Sequence, residues 1–114
     1  MCFYILLEQL SEGCGEISAR PSTLFSTGGY DLIHVFFENR SGFDVNLFWI
    51  GYDGEEDFHD VIPDGDVTAY DSYLGHVFLT TLTDNTVLTI NGECFWRIVE
   101  NSTNIVVENL LQYS

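Results

Sequence analysis

From Tyr30 onward the chain alternates apolar and polar residues with a period of two. Apolar or alternating runs cover residues 32–38, 45–52, 58–61, 67–70, 77–82, 87–90 and 94–99. A period of two sends successive side chains to opposite faces, so each run predicts a short β-strand with one face turned to a core. The separators are turn formers: residues 40–43 around Gly42, then Asp53-Gly54, Pro63-Asp64-Gly65, Thr83-Asp84-Asn85 and Asn91-Gly92. Asp-Gly and Asn-Gly are hairpin signals because they adopt the positive φ that tight β-turns require. Seven runs are too many for one small sheet. With turn signals about every ten residues, they predict an all-β fold, an antiparallel β-sandwich of about seven to eight strands. Val35, Phe37, Leu47, Val77 and Leu79 are its predicted inner-face residues.

The two ends break the pattern. Residues 1–29 have a short apolar start followed by Ser11, Glu12, Gly13, Gly15, Ser22, Ser26, Thr27, Gly28 and Gly29. That composition predicts a loop-rich arm, peripheral to a domain at 30–114. Near the other end Val106, Val107, Leu110 and Leu111 have helix-compatible spacing, with Ser102 or Thr103 as a cap. One short terminal helix is expected there, with a final strand as the alternative. The length of 114 residues, without internal repeats, fits a single domain able to bury its own core.

Composition sharpens this picture. Nine Phe and six Tyr against one Met suit side chains packed on pleated faces. Eighteen acidic residues against three arginines and no lysine give a formal charge of −15. Such a field repels nucleic acid and anionic membranes and favours neutral or basic partners. Cys2, Cys14 and Cys94 are odd in number, with neither a CxxC pair nor zinc-ligand spacing, and read as reduced thiols with no metal. The apolar residues 2–7 are too few to span a bilayer and lack a leader's basic start and cleavage site. An intracellular, cytoplasmic location is the resulting expectation. The sequons Asn39-Arg40-Ser41 and Asn101-Ser102-Thr103 matter only in a secreted chain and are discounted.

Between residues 35 and 78, uncommon residues recur at fixed intervals: VFFENRS (35–41), DVNLFWIGYDGE (44–55), IPDG (62–65) and YDSYLGHVF (70–78). This stretch resembles the β-domain of the von Hippel-Lindau tumour suppressor family. Asn39-Arg40-Ser41, Trp49, Asp53-Gly54-Glu55, Pro63, Gly65, Ser72-Tyr73, Gly75 and His76 fall in that family's order without a gap. The resemblance spans roughly residues 30–100 and returns in Leu88-Thr89-Ile90-Asn91-Gly92. It implies a binding module and not an enzyme, one whose pocket accepts the hydroxyproline of an extended peptide. By the same resemblance Trp49 is the pocket floor and Ser72 and His76 bind the ring hydroxyl, with Tyr73 beside them. Two wall positions depart from the family: a tyrosine is His59 here, and a second tryptophan is Phe78. The family's histidine next to the serine is Asp71, and its groove arginines are Tyr30, Thr68 and Ala69, so an acidic peptide of the hypoxia-factor kind would be repelled.

These residue types suit the task. A hydroxyproline ring is apolar on its faces and polar at one point, so it calls for aromatic walls and a donor-acceptor pair aimed at one oxygen. A site built around such a pair rejects the analogue lacking the hydroxyl by on the order of 10⁴-fold, because its polar groups are left unpaired. Taken singly, Trp49 reads as core, Ser72 as a turn capper and His76 as an edge histidine; their joint spacing favours the pocket. Asn39-Arg40-Ser41 reads as a polar turn tying down the next loop. A catalytic triad of Ser72, His76 and Asp71 is disfavoured, since neighbours on a strand project to opposite faces, and no catalytic residue is assigned. The acidic cluster Asp53, Glu55, Glu56, Asp57, His59 and Asp60 fits no calcium loop and reads as a solvated hairpin flank, so no cofactor is expected. The resembled family also recruits elongin C through a helix carrying a cysteine. Residues 103–113 hold no cysteine, and Asn104 stands where that motif wants leucine, so elongin C binding is not supported. Two functions are carried forward: capture of a hydroxyproline-containing peptide, and a structural or protein-interaction sandwich without hydroxyproline recognition.

Overall fold

The computed structural model describes residues 13–99 and 104–109, and the structural statements that follow concern those residues. The expectations on the first twelve residues with Cys2, on the sequon at 101–103, and on the tail beyond Asn109 lie outside them. Eight strands form: β1 Leu32–Asn39, β2 Val45–Ile50, β3 Glu56–Ile62, β4 Val67–Tyr73, β5 Val77–Thr81, β6 Thr89–Ile90, β7 Trp96–Arg97 and β8 Asn104–Glu108. A single 3-10 turn at Ile17–Ala19 completes the regular structure. The strands pair as two four-stranded sheets, ordered β4-β1-β8-β6 and β3-β2-β5-β7, which is the predicted sandwich.

The terminal element is a strand and not a helix. Ile105, Val106 and Val107 are three consecutive β-branched residues, which lose side-chain freedom on a helix and pack well on a pleat. Ile105 and Val107 are fully buried while Asn104 is exposed, a period of two. β8 runs parallel to β1 and antiparallel to β6, so one pairing in an otherwise antiparallel fold is parallel.

The core between the sheets contains Val35 and Phe37 of β1, Leu47 of β2, Phe78 of β5, Ile90 of β6, and Ile105 and Val107 of β8. All five predicted inner residues are buried, but not on one side. Val77 and Leu79 alternate with Phe78 and lie on the other face of β5, clustered with Ile50, Val87, Ile17 and Leu24. The second half of the N-terminal arm therefore covers the outer face of the β3-β2-β5-β7 sheet. Its residues are held by backbone bonds from Ile17 N–H to Asn85 O (3.0 Å), Val87 N–H to Gly15 O (2.8 Å) and Ser26 N–H to Gly51 O (3.1 Å). The buried Ser26 hydroxyl donates to Ile50 O and accepts from Val77 N–H, joining the ends of β2 and β5.

Cys14 and Cys94 form a disulfide across 80 residues of sequence. This corrects the reading of both as reduced thiols, and the reducing compartment inferred from that reading loses its basis. The two cysteines share no spacing signature; the arm's course over the sheet brings their Cα atoms to 5.4 Å. No helix among the described residues is long and apolar enough to cross a membrane.

The polar turn after β1 behaves as its composition indicates. Asn39 is fully buried; its amide donates to Phe43 O (2.7 Å) and Ile62 O (2.8 Å), and its side-chain oxygen accepts from the Ser41 hydroxyl (2.7 Å). One side chain thereby joins the start of the β2 hairpin to the end of β3.

A crosslink closing so long a loop removes much unfolded-chain entropy. Cys14→Ser should lower the unfolding free energy by about 4 kcal/mol, read as a shifted midpoint in urea. A dithiol reductant should shift the wild type to the same extent and leave the variant unmoved; identical wild-type curves with and without reductant would contradict the crosslink.

Candidate functional site

Where the two sheets part, a cleft of about 330 Å³ opens between the edge strands β4 and β3. Trp49, His59, Ser72, Tyr73, His76 and Phe78, the six site residues expected from the sequence, all line it, together with Asp57, Tyr70 and Asp71.

The floor is set by strand parity. Trp49 shares its face of β2 with Leu47 and pairs in register with Phe78 on β5 and Asp57 on β3. Phe78 is only 3% exposed and meets Phe37 edge-to-face at 5.3 Å, so the floor is continuous with the core.

The β3 wall depends on an irregularity. Phe48 pairs with Phe58 but Leu47 pairs with Asp60, which leaves His59 as an extra residue in a bulge. A bulge bends the strand and re-aims side chains, and here His59 and Asp60 both reach Tyr70 of β4. The His59 and Tyr70 rings lie 4.8 Å apart, and the Tyr70 hydroxyl donates to Asp60 Oδ2 at 2.6 Å. Burial and the neighbouring carboxylate raise the Tyr70 pKa, while the tyrosine hydrogen bond and Val61 N–H hold the Asp60 carboxyl below its usual range. Together these contacts tie the edge of one sheet to the edge of the other.

The polar end of the cleft lies at the corner where the chain leaves β4 for β5. His76 N–H donates to Tyr73 O (3.1 Å) across this turn. Gly75 has φ +89°, and a Cβ there would come within 2.1 Å of Thr27 Oγ1, so the tight corner and the close seat of the arm both require glycine. Ser72 is buried between the exposed Asp71 and Tyr73, and its hydroxyl lies 3.5 Å from His76 Nδ1. The other ring nitrogen, Nε2, is 3.0 Å from the Tyr52 hydroxyl. Trp49, Tyr52 and Tyr73 surround the imidazole at 5.3, 5.7 and 5.5 Å between centroids. Partial burial disfavours its charged form and lowers its pKa. Asp71, the carboxylate a triad would need, is bonded to His34 of β1.

Among the described residues, the cleft lining contains carboxylates and no lysine or arginine. Arg20 pairs with Glu56, Arg40 pairs with Glu38, and Arg97 donates to Gly75 O and Phe25 O. Among the described residues no three His, Cys, Asp or Glu side chains gather as a metal-binding group; Asp53 instead accepts from Glu55 N–H at 3.1 Å.

Tyr70 and Tyr52 went unassigned in the sequence. Tyr70 had a signal, since it lies two residues before Ser72 and a strand places both on one face. Tyr52 had none, because alternation along the predicted run 45–52 turns it away from Trp49, whereas β2 ends at Ile50 and the turn that follows brings its ring to 5.4 Å from that of Trp49.

Among the described residues the molecule is a two-sheet β-sandwich with an aromatic cleft beside the edge strand β4. The family model described as the VHL beta domain matches residues 24–104, well over half of the chain, and the chain belongs to that family. No curated protein matches the chain significantly. The match begins at Leu24, so the part of the arm that seats against Gly51 and Gly75 lies within the family's domain. This is a protein-binding β-domain, of a family that generally takes a protein or peptide partner.

The depressed His76 pKa has a definite consequence for stability. The folded state resists protonating this ring, so the unfolded chain takes up the proton first as pH falls. The contribution of His76 is fully present above the ordinary value of 6.5 and is lost as pH falls from there through the lower folded pKa. In chemical denaturation between pH 7.5 and 5, His76→Gln should show a flatter pH dependence than the wild type.

Proposed function

We propose that this domain captures an extended peptide along β4 and takes a hydroxyproline of that peptide into the cleft. The observation that carries the reading is the meeting of Trp49, His59, Tyr73 and Phe78 with Ser72 and His76 in one cleft, aromatic along its walls and polar at one end. The 3.5 Å between Ser72 Oγ and His76 Nδ1 is at the limit of a hydrogen bond. Both groups therefore keep capacity for a third oxygen placed between them. β4 is an edge strand paired on one side by β1 among the described residues, which leaves its other side for main-chain pairing with a peptide. The role is binding without catalysis, in keeping with Asp71 being engaged by His34 and not by His76.

The partner segment is neutral or basic. A chain of net charge −15, with Asp57 and Asp71 on the cleft lining, attracts cations and repels acidic segments.

Each member of the polar pair can be removed separately. Ser72→Ala and His76→Ala should each cost about 1 to 3 kcal/mol of affinity for a hydroxylated peptide while leaving its plain counterpart nearly unaffected. Trp49→Ala should weaken both peptides or unfold the domain, because its ring serves the core as well as the cleft. If calorimetric titration finds the hydroxylated-over-plain preference unchanged in the Ser72 and His76 variants, the pocket assignment fails and a sandwich without hydroxyproline recognition takes its place.

Charge is tested independently. Affinity for a basic peptide should fall as salt is raised, since a field of this kind is screened over about 10 Å at 0.1 M. Tight binding of an acidic peptide at low salt would overturn the charge argument.

A further inference from the structure

We propose that Tyr52 is a positioning residue that fixes the proton of His76 on Nδ1 and so makes the cleft a donor toward a ligand oxygen. This deepens the peptide-capture reading and rests on it for its consequence in binding, but not for its geometry. Tyr52 does not line the cleft. It stands behind His76 in the loop that follows β2, with its ring edge-to-face against Trp49 at 5.4 Å and its hydroxyl 3.0 Å from Nε2.

A neutral imidazole has one N–H and one lone pair, and the partner of one nitrogen decides the role of the other. Between phenol and neutral imidazole, the phenol is the stronger acid, with an ordinary pKa of about 10. The Tyr52 hydroxyl therefore donates, Nε2 accepts, and the ring proton sits on Nδ1. Partial burial of His76 favours the neutral ring that this arrangement needs. Nδ1–H then faces Ser72 Oγ across 3.5 Å, too far for a strong bond. A ligand hydroxyl between them accepts from Nδ1–H and donates its own hydrogen to Ser72 Oγ. Such a site selects a group that both accepts and donates: an alcohol satisfies both partners, while its methyl ether satisfies only the histidine.

Tyr52 is 56% exposed, so Tyr52→Phe removes the hydroxyl without opening a cavity. The first measurement uses the ligand-free full chain: two-bond proton-nitrogen correlation of the imidazoles at neutral pH. The wild type should show His76 with its proton on Nδ1, and Tyr52→Phe should move it wholly or partly to Nε2. A wild-type proton on Nε2, or a variant unchanged from the wild type, overturns the proposal whatever the peptide result. The second measurement titrates matched peptides bearing proline, hydroxyproline and its methyl ether. Tyr52→Phe should reduce the preference for hydroxyproline over proline by about tenfold with affinity for the proline peptide unchanged. Equal loss for all three peptides makes Tyr52 a packing residue and also overturns the proposal. If instead Ser72→Ala and His76→Ala leave the preference intact, peptide capture fails, while the tautomer measurement still decides the role of Tyr52.

Discussion

β5 is buried on both faces, and the rest of the molecule is arranged to make that hold. Phe78 faces the opposing sheet, while Val77 and Leu79 face away from it. A strand covered on both sides needs two layers around it. In a chain of this length the opposing sheet provides one, and the N-terminal arm, through Ile17 and Leu24, provides the other. The described part of the arm, whose regular structure is one 3-10 turn, has little of its own to hold it in place, since its conformational entropy opposes ordering. The disulfide to Cys94 and the bonds around Ser26 and Gly75 offset that cost at both ends of the covered face.

The site is the counterpart of that arrangement on the inner side. Covering and closing the sandwich uses up the apolar faces, but the edges of β3 and β4 part, and a seam there exposes aromatic rings that belong to the core. Phe78 and Trp49 are at once packing residues and cleft floor. The seam is kept to a fixed width by the Tyr70–Asp60 bond and the His59–Tyr70 contact, both made available by a bulge in β3. The corner at Gly75 then brings His76 back toward Ser72 from the other sheet. Because Thr27 of the arm bonds Gly75 O, the cover on the outer face and the polar end of the cleft share a single turn.

Affinity and selectivity have separate sources in such a cleft. Aromatic walls supply contact area that is indifferent to one oxygen atom, and the acidic field acts at a distance on any cationic segment. Only polar groups can tell one oxygen atom from none, because a buried group left unpaired costs more than a paired one gains.

The sequence alone determined the strands up to β7, most of the turns and six of the residues that line the cleft. Strand alternation is local, so Val35, Phe37, Leu47, Val77 and Leu79 were recognisable as buried, and Asp-Gly and Asn-Gly marked their turns. Trp49, Ser72 and His76 were legible because a family's order of uncommon residues survives in a linear string. What only the tertiary structure decided are relations between segments far apart in the chain. Period two says which residues share a face but not which side of a sheet, so the placing of Val77 and Leu79 under the arm was not visible. Nor was the crosslink between Cys14 and Cys94, the parallel seat of β8 against β1, the bulge at His59, or the hydroxyl of Tyr52 behind His76. Each depends on how two sheets and an arm dock, and docking is settled by packing all the apolar faces at once, which no local pattern records.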